Sequence, residues 1–299
     1  MAQFDKNVTA QFDRAVQGSQ KKDTLFARLL RNRLALIGMI ITFIVVMTAI
    51  FAPLIAPYDP LKITLADRLQ PPSNQYWLGT DHLGRDVFSR VVYGTRISLQ
   101  VGIVSVFLGT IVGLIAGAAA GYIGNGVDTV IMSIMDAIYA FPAILLALAL
   151  VAAFEPGLVT VMTAIAIVRI PIFARTVRSS VLAEKEKEYI EAARCIGLND
   201  FGILTRHILP NITAPLIVVT TTYFAAAIVV EASLSFLGLG VPPPQASWGV
   251  MLNDGRKYME AMPHVVLYPG IAISLTVLGF NLLGDGLRDV LDPRLRNIS

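Results

Sequence analysis

The sequence predicts an all-α integral membrane protein with six transmembrane helices and both termini in the cytoplasm. Three observations predict it. The 299 residues are 55% hydrophobic and only 15% charged, where soluble domains usually carry about 25% charge, and the mean hydropathy is +0.66. Six apolar runs recur along the chain, each long enough to cross the roughly 30 Å hydrocarbon layer as a helix. The basic residues fall unevenly between those runs, which sets an orientation. A water-soluble fold of this length would have to expose large apolar patches.

The first run, 34–56, reads "LALIGMIITFIVVMTAIFAPLIA" and follows a polar, mixed-charge tail, 1–33. It is too long for the apolar core of a cleaved signal and long enough to span. The other spans are expected at 97–121, at 130–154 with Pro142 inside, and at 158–174, 212–239 and 265–283. Helices suit them because lipid requires every backbone group to be bonded internally. Lys and Arg number 16 across the N-terminal tail, the connection between spans four and five, and the C-terminal tail, against 7 in the other connections. That bias places both tails inside. The organisation is then a cytoplasmic tail (1–33), a first span (34–56), an external segment (57–96), a core (97–284) and a cytoplasmic tail (285–299). The core includes a cytoplasmic helical block at 184–210 and an external loop at 241–264. Within 57–96 the basic residues alternate with Asp59, Asp67, Asp81 and Asp86, and the stretch "DVFSRVVYGTRIS" is compatible with the membrane interface. The pI near 9.0 reflects this orientation signal and does not point to nucleic acid.

Span two carries Gly109, Gly113, Gly117 and Gly121 at a spacing of four. One helix face without side chains lets a second helix approach closely, either within this chain or from a sister subunit or moving helix. Three ionisable residues fall inside spans: Asp136, Arg169 and Glu231. Each costs roughly 2.5–3.5 kcal/mol at the bilayer centre on insertion scales. Asp136 and Arg169 are read as structurally paired. For Glu231, pairing and lining a pathway stand open, and Asp136 and Glu231 are the pathway candidates. Asp285, Arg288, Asp289 and Asp292 are expected to form a solvated ion-pair cluster.

The block "EKEKEYIEAARCIGLNDFGILTRHILPN" is the one strongly amphipathic stretch. Residues 184–194 are strong helix formers. Gly197 suits a left-handed helix stop. Asn199 or Asp200 suits the cap of a second short helix, with Phe201, Leu204 and Ile208 on one stripe. Pro210 then ends that helix as span five begins. The result is a helix-turn-helix bracket tied to two spans, or an ordinary amphipathic loop.

Catalytic chemistry is not encoded. No Gly-Lys pair exists for a P-loop. His82, His207 and His264 all lie in expected connections, so no histidine relay crosses the membrane. The single Cys195 allows no internal disulfide and no cysteine metal framework. No catalytic residue and no metal site are expected.

In the block, Glu191-Ala192-Ala193, then Gly197 after three intervening residues, then Leu209-Pro210, resemble the coupling motif of ABC importer permeases, with His207 standing where Ile is usual. "LGTDHLGRDVFSRVVYGTRISLQVG", "ASLSFLGLGVPPPQASWGVMLNDGR" and "NLLGDGLRDVLDPRLR" resemble the C-type permease subunits of dipeptide, oligopeptide, glutathione and nickel importers. The resemblance covers roughly residues 25 to 296. It implies the type I importer permease fold, a homologous B-type permease as partner, two cytoplasmic ATPases that bind ATP and Mg, and an extracytoplasmic substrate-binding protein. It implies no cofactor in this chain. By position, Glu191, Ala192, Ala193 and Gly197 would form the ATPase-docking turn, with Leu209 and Pro210 tying it to span five. The stiff proline run at 242–244 beside an exposed Trp248 suggests binding-protein contacts at Pro243 and Trp248. Peptide is the expected cargo, with glutathione or nickel as further options. A proton-coupled secondary transporter using Asp136 and Glu231 is the alternative, and an intramembrane enzyme lacks any constellation of catalytic groups.

Overall fold

The structure, a computed structural model, describes residues 29–155 and 157–291. The expectations for residues 1–28 and for Asp292 lie outside the described residues. Among those residues there are helices and turns but no strand, apart from one isolated bridge between Thr80 and Asp86.

Helix α1 (Arg33–Ile50) starts where the Asn32 side chain accepts from the backbone N–H groups of Leu34 and Ala35. Such capping satisfies donors that the first turn leaves free. A short turn of helix, α2 (Ala52–Ile55), follows with Pro53 at its start, where a missing N–H costs nothing. Residues 57–86, within the segment expected outside, then form an irregular stretch with one 3-10 turn at Leu65–Asp67.

Helix α3 (Val87–Ile123) is longer than the expected 97–121 span. Asp86 caps it by accepting from Ser89 N–H at 2.8 Å, and the chain meets no proline or left-handed glycine before Gly124 (φ 75°). The stretch assigned to the interface is therefore the opening turns of this helix. The expected third span is broken instead into α4 (Asn125–Tyr139) and α5 (Ala143–Ala153), bent by 89°. Pro142 lies at the break, where it supplies no backbone donor to continue the helix. Helix α6 (Leu158–Lys185) runs well past the expected end at 174, carrying Pro171 within it.

The bracket contains α7 (Glu188–Cys195), α8 (Asp200–Ile203), a π-turn at Leu204–Ile208 and α9 (Leu209–Asn211). Helix α10 (Thr213–Phe236) follows. The loop expected outside folds a short helix, α11 (Trp248–Gly255), and the described residues end with α12 (His264–Leu291). Five of these helices are long and apolar enough to cross a membrane, six if α4 and α5 count as one broken span.

The main core lies between α3, α6 and α10, where Val101, Ile165, Phe173, Ile228 and Leu234 pack together. Burying each such side chain contributes about 1.5–3 kcal/mol relative to water, although within lipid the gain comes from packing rather than from escape from water. Helix α1 docks on α12, with Gly38 against Leu282 and Gly286 against Ala35. Asn32 Nδ2 donates to Asp289 Oδ2 at 3.1 Å, so the start of α1 and the end of α12 meet at one end of the bundle. The bracket lies at that same end, because α10 begins beside the α12 residues Asp285 and Arg288. The outer segment and α11 occupy the other end.

Candidate coupling site

The bracket is built from the ends of its flanking helices. Lys185 closes α6 and donates from Nζ to the Tyr122 carbonyl at 2.8 Å, clamping α6 to the end of α3. Glu184 is buried and accepts from Lys187 Nζ at 2.7 Å and from the Tyr189 hydroxyl. Asn211 Nδ2 donates to the same hydroxyl at 3.0 Å. Burial, followed by the hydrogen bond to Glu184, pushes the Tyr189 pKa above its ordinary value. Tyr122 Oη donates to Asp200 Oδ1 at 2.6 Å. These polar ties join α3, α6, α7, α8 and the end of α9.

Beneath them lies an apolar seat. Ile190, Ala193, Ile203, Ile208 and Ile212 pack against Ala118, Val177 and Val181. The expected stripe of Phe201, Leu204 and Ile208 is thus only partly correct. Ile203 takes the inward place, while Phe201 is 75% exposed. The π-turn widens the backbone by one residue per turn, which shifts the register between Ile203 and Ile208. The charged run is also not one helix. It breaks at Glu186 and Lys187, leaving Glu184 and Lys185 on α6 and Glu188 on α7.

Gly197 makes the turn. Its φ is +85°, a region that costs other L-residues about 1–2 kcal/mol. Its N–H donates to Arg194 O at 2.9 Å and the Leu198 N–H donates to Ala193 O at 3.1 Å. Asn199 caps the next helix by accepting from Gly202 N–H at 2.8 Å. The motif divides across this turn: Ala193 is buried, whereas Glu191, Ala192 and Gly197 face out together with Ile196, which is 79% exposed. Leu209 is half-buried and Pro210 exposed. The packed base therefore presents a tip on which Ala192, Ile196 and Gly197 stand beside Glu191.

The remaining sequence candidates sit elsewhere. Gly109, Gly113, Gly117 and Gly121 all face α6, against Ala166, Phe173, Ala174 and Val181. Asp136 pairs with Arg175 at 2.6 Å on an exposed surface. Arg169 has no carboxylate partner among the described residues; its guanidinium lies 5.0 Å from the Tyr223 ring, a cation–π contact in place of the expected ion pair. Glu231 is fully enclosed, accepting from Ser235 Oγ at 2.8 Å and Ser98 Oγ at 3.2 Å, so it lines no open path in this conformation.

Trp248 is not exposed. It is 1% accessible, seated on Gly94, with Nε1 donating to Val91 O at 3.0 Å. The indole needs a buried acceptor, and the opening turns of α3 supply one. Pro243 is exposed. His264 begins α12 and His207 lies in the π-turn. Among the described residues no ion pair joins Asp285, Arg288 and Asp289; Asp289 instead accepts from Asn32. Sequence reasoning placed Glu184, Tyr189 and Asn211 in the block without a role and missed Tyr122 as part of the site. Only Asn211, directly after Leu209-Pro210, carried a local signal.

The family described as binding-protein-dependent transport system inner membrane component matches residues 109–297. This chain belongs to that family. Residues 19–72 of the permease also match the N-terminal TM domain of oligopeptide transport permease C. The permease is 47% identical over 272 residues to a dipeptide transport system permease protein of Alkalihalophilus pseudofirmus, covering 91% of this chain and 90% of that one. It is 48% identical over 271 residues to a glutathione transport system permease protein of Pectobacterium atrosepticum, covering 90% of each. A solved structure of the MetNI methionine ABC transporter in an inward facing conformation superposes with a TM-score of 0.56 at 21% identity, covering 67% of this chain and 96% of that chain. The fold is thus that of an importer permease, and the permease is a multi-pass inner-membrane protein.

Proposed function

We propose that this permease forms half of the translocation pathway of an ATP-driven importer of short peptides. Di- or oligopeptide is the cargo favoured by the dipeptide permease relative, with glutathione next. Two cytoplasmic ATPases bind ATP and Mg and grip the bracket tips; a homologous B-type permease supplies the other half of the path; an extracytoplasmic binding protein delivers the cargo. The permease itself holds no cofactor and catalyses nothing. Orientation follows the basic residues, with the bracket inside.

The observation that carries the coupling role is the bracket's construction. Its inward side is locked to α3 and α6 by Ile190, Ile203 and Ile208, while Ile196, Ala192 and Phe201 are left for a partner. A force on that tip is transmitted to two spans at once. A pathway role for Glu231 in a proton-coupled transporter finds no support in its closed serine cradle.

The test is purification in mild detergent from the native membrane, followed by mass spectrometry and uptake in reconstituted vesicles. A second permease and P-loop ATPases should accompany the chain, and uptake should stop on ATP depletion with the proton gradient clamped. A chain that purified alone and transported without ATP would overturn the reading.

A further inference from the structure

At the outer end a cavity of about 750 Å³ opens between α2 and the residues after it, the second to fourth turns of α3, and the loop before α11. That volume falls within the range of sites that hold small ligands. Its polar lining is Tyr58, Asp59, Tyr93, Arg96, Gln100 and Gln245. Arg96 and Gln100 are one helical turn apart and both exposed, which places them on one face of α3. Below them that face turns apolar, through Ile103 and Phe107.

Arg96 lies near the outer mouth of a spanning helix, where an exposed ionisable side chain is a candidate for contact with a ligand. Two buried ionisable groups at this end of the bundle are already satisfied. Glu231 is enclosed by serines, and Arg90 is buried against Asp81 and Asp254 at 3.5 and 3.7 Å. Arg96 has no ion-pair or hydrogen-bond partner among the described residues. Asp59 accepts from Leu61 N–H at 2.9 Å through one carboxylate oxygen, leaving the second without a partner.

We propose that this corner is a substrate subsite of the permease, in which Arg96 receives the C-terminal carboxylate of a short peptide. The planar guanidinium matches a carboxylate with two parallel hydrogen bonds. Gln100 and Gln245 offer amides to the peptide backbone, each with a donor and an acceptor. Asp59 faces the cationic N-terminus. Tyr58 and Tyr93 provide flat apolar walls for side chains that vary between cargoes. The subsite therefore reads the two ends and the backbone, which all peptides share. The assignment rests on the peptide-importer reading.

The experiment uses the whole assembled transporter in lipid nanodiscs without its binding protein. The probes are a side-chain-labelled tripeptide with a free carboxylate, its C-terminal amide and its N-acetyl form. The free acid should bind the unaltered complex about tenfold more tightly than the amide, the loss expected for one charge-assisted pair. Arg96→Gln should bring the acid down to the level of the amide and leave the amide unchanged, whereas Arg96→Lys should keep part of the difference. Asp59→Asn should do the same for the free N-terminus against the acetyl form. Equal binding of acid and amide by the unaltered complex, or no binding of either, would overturn the subsite without any variant being needed. Parallel weakening of both forms by Arg96→Gln would overturn it as well, assigning Arg96 to lipid or the sister permease. ATP-independent uptake in the vesicle assay would sink the importer reading instead, so the two failures are distinct.

Discussion

Gly197 shows how much one backbone angle can carry. Its φ of +85° is what lets the 193 and 194 carbonyls be capped and the chain turn sharply into Asn199. A Cβ at this position would meet no atom within 4 Å, so space is not the constraint; the left-handed conformation is. Gly197→Val should cost about 1–2 kcal/mol locally, and more for a β-branched residue than for Ala. We expect normal membrane insertion but reduced co-purification of the ATPases, read by detergent pull-down. Full ATPase recovery would remove Gly197 from the coupling assignment. This residue and Asn199 were legible in the sequence because their demands are local: a positive φ and a helix cap. Trp248 and Glu231 were not. Trp248 is enclosed by Val91 and Gly94, and Ser98 completes the cradle that Ser235 begins around Glu231; apart from Ser235 these partners lie more than 130 positions away, and no local pattern reports them.

Among the elements, α3 and α6 form the mechanical axis. Four glycines at intervals of one turn let their backbones meet along most of the apolar thickness, as small residues do between membrane helices. A Cβ at Gly117 would collide with the Ala174 carbonyl, which belongs to a helix and cannot retreat cheaply. Gly117→Leu should therefore separate the pair at a cost of ~3 kcal/mol or more, beyond ordinary overpacking. Gly126, on α4, faces open space, and Gly126→Ala should be neutral or stabilising by up to about 1 kcal/mol through helix propensity. Thermal unfolding in detergent, followed by size-exclusion chromatography, compares the two. Similar melting of both variants would mean that the close α3–α6 approach is not what holds the bundle. The existence of the spans was readable from apolar length. Their ends were not, because α3 extends through a polar stretch in which Arg90 is neutralised only in three dimensions, by Asp81 and Asp254. Likewise α4 and α5 read as a single apolar run, since apolar composition is blind to the 89° bend at Pro142.

In the whole molecule, two polar assemblies close the ends of an apolar bundle. The bracket closes one. At the other, Asp81, Arg85, Arg90 and Asp254 join the outer segment to α3 and α11, with Arg85 to Asp81 at 2.7 Å and to Asp254 at 3.1 Å. Breaking one partner of such a buried cluster costs far more than the cluster contributes, because the charge left behind is unpaired. His82 lies beside it, stacked on Tyr258 with centroids 5.6 Å apart. Burial lowers the His82 pKa below 6.5; Asp81 and Asp254 oppose that shift, while Arg85 and Arg90 reinforce it. The folded cap therefore favours the neutral imidazole more than the opened cap does. A depressed folded-state pKa means that this contribution to stability is present above the ordinary histidine value and is lost as pH falls from there through the lowered folded-state value. Amide exchange in residues 57–86 and in α11 should accelerate severalfold between about pH 7.5 and about pH 5.5 once corrected for intrinsic rates. His82→Gln should flatten that dependence while leaving exchange in the bracket unchanged. If the cap exchanged at the same corrected rate across the range, His82 would be solvated and its stack on Tyr258 without consequence for closure. If instead the slope survived the substitution, the titrating group would lie elsewhere in the outer end, with His264 beneath Gly79 the next to replace.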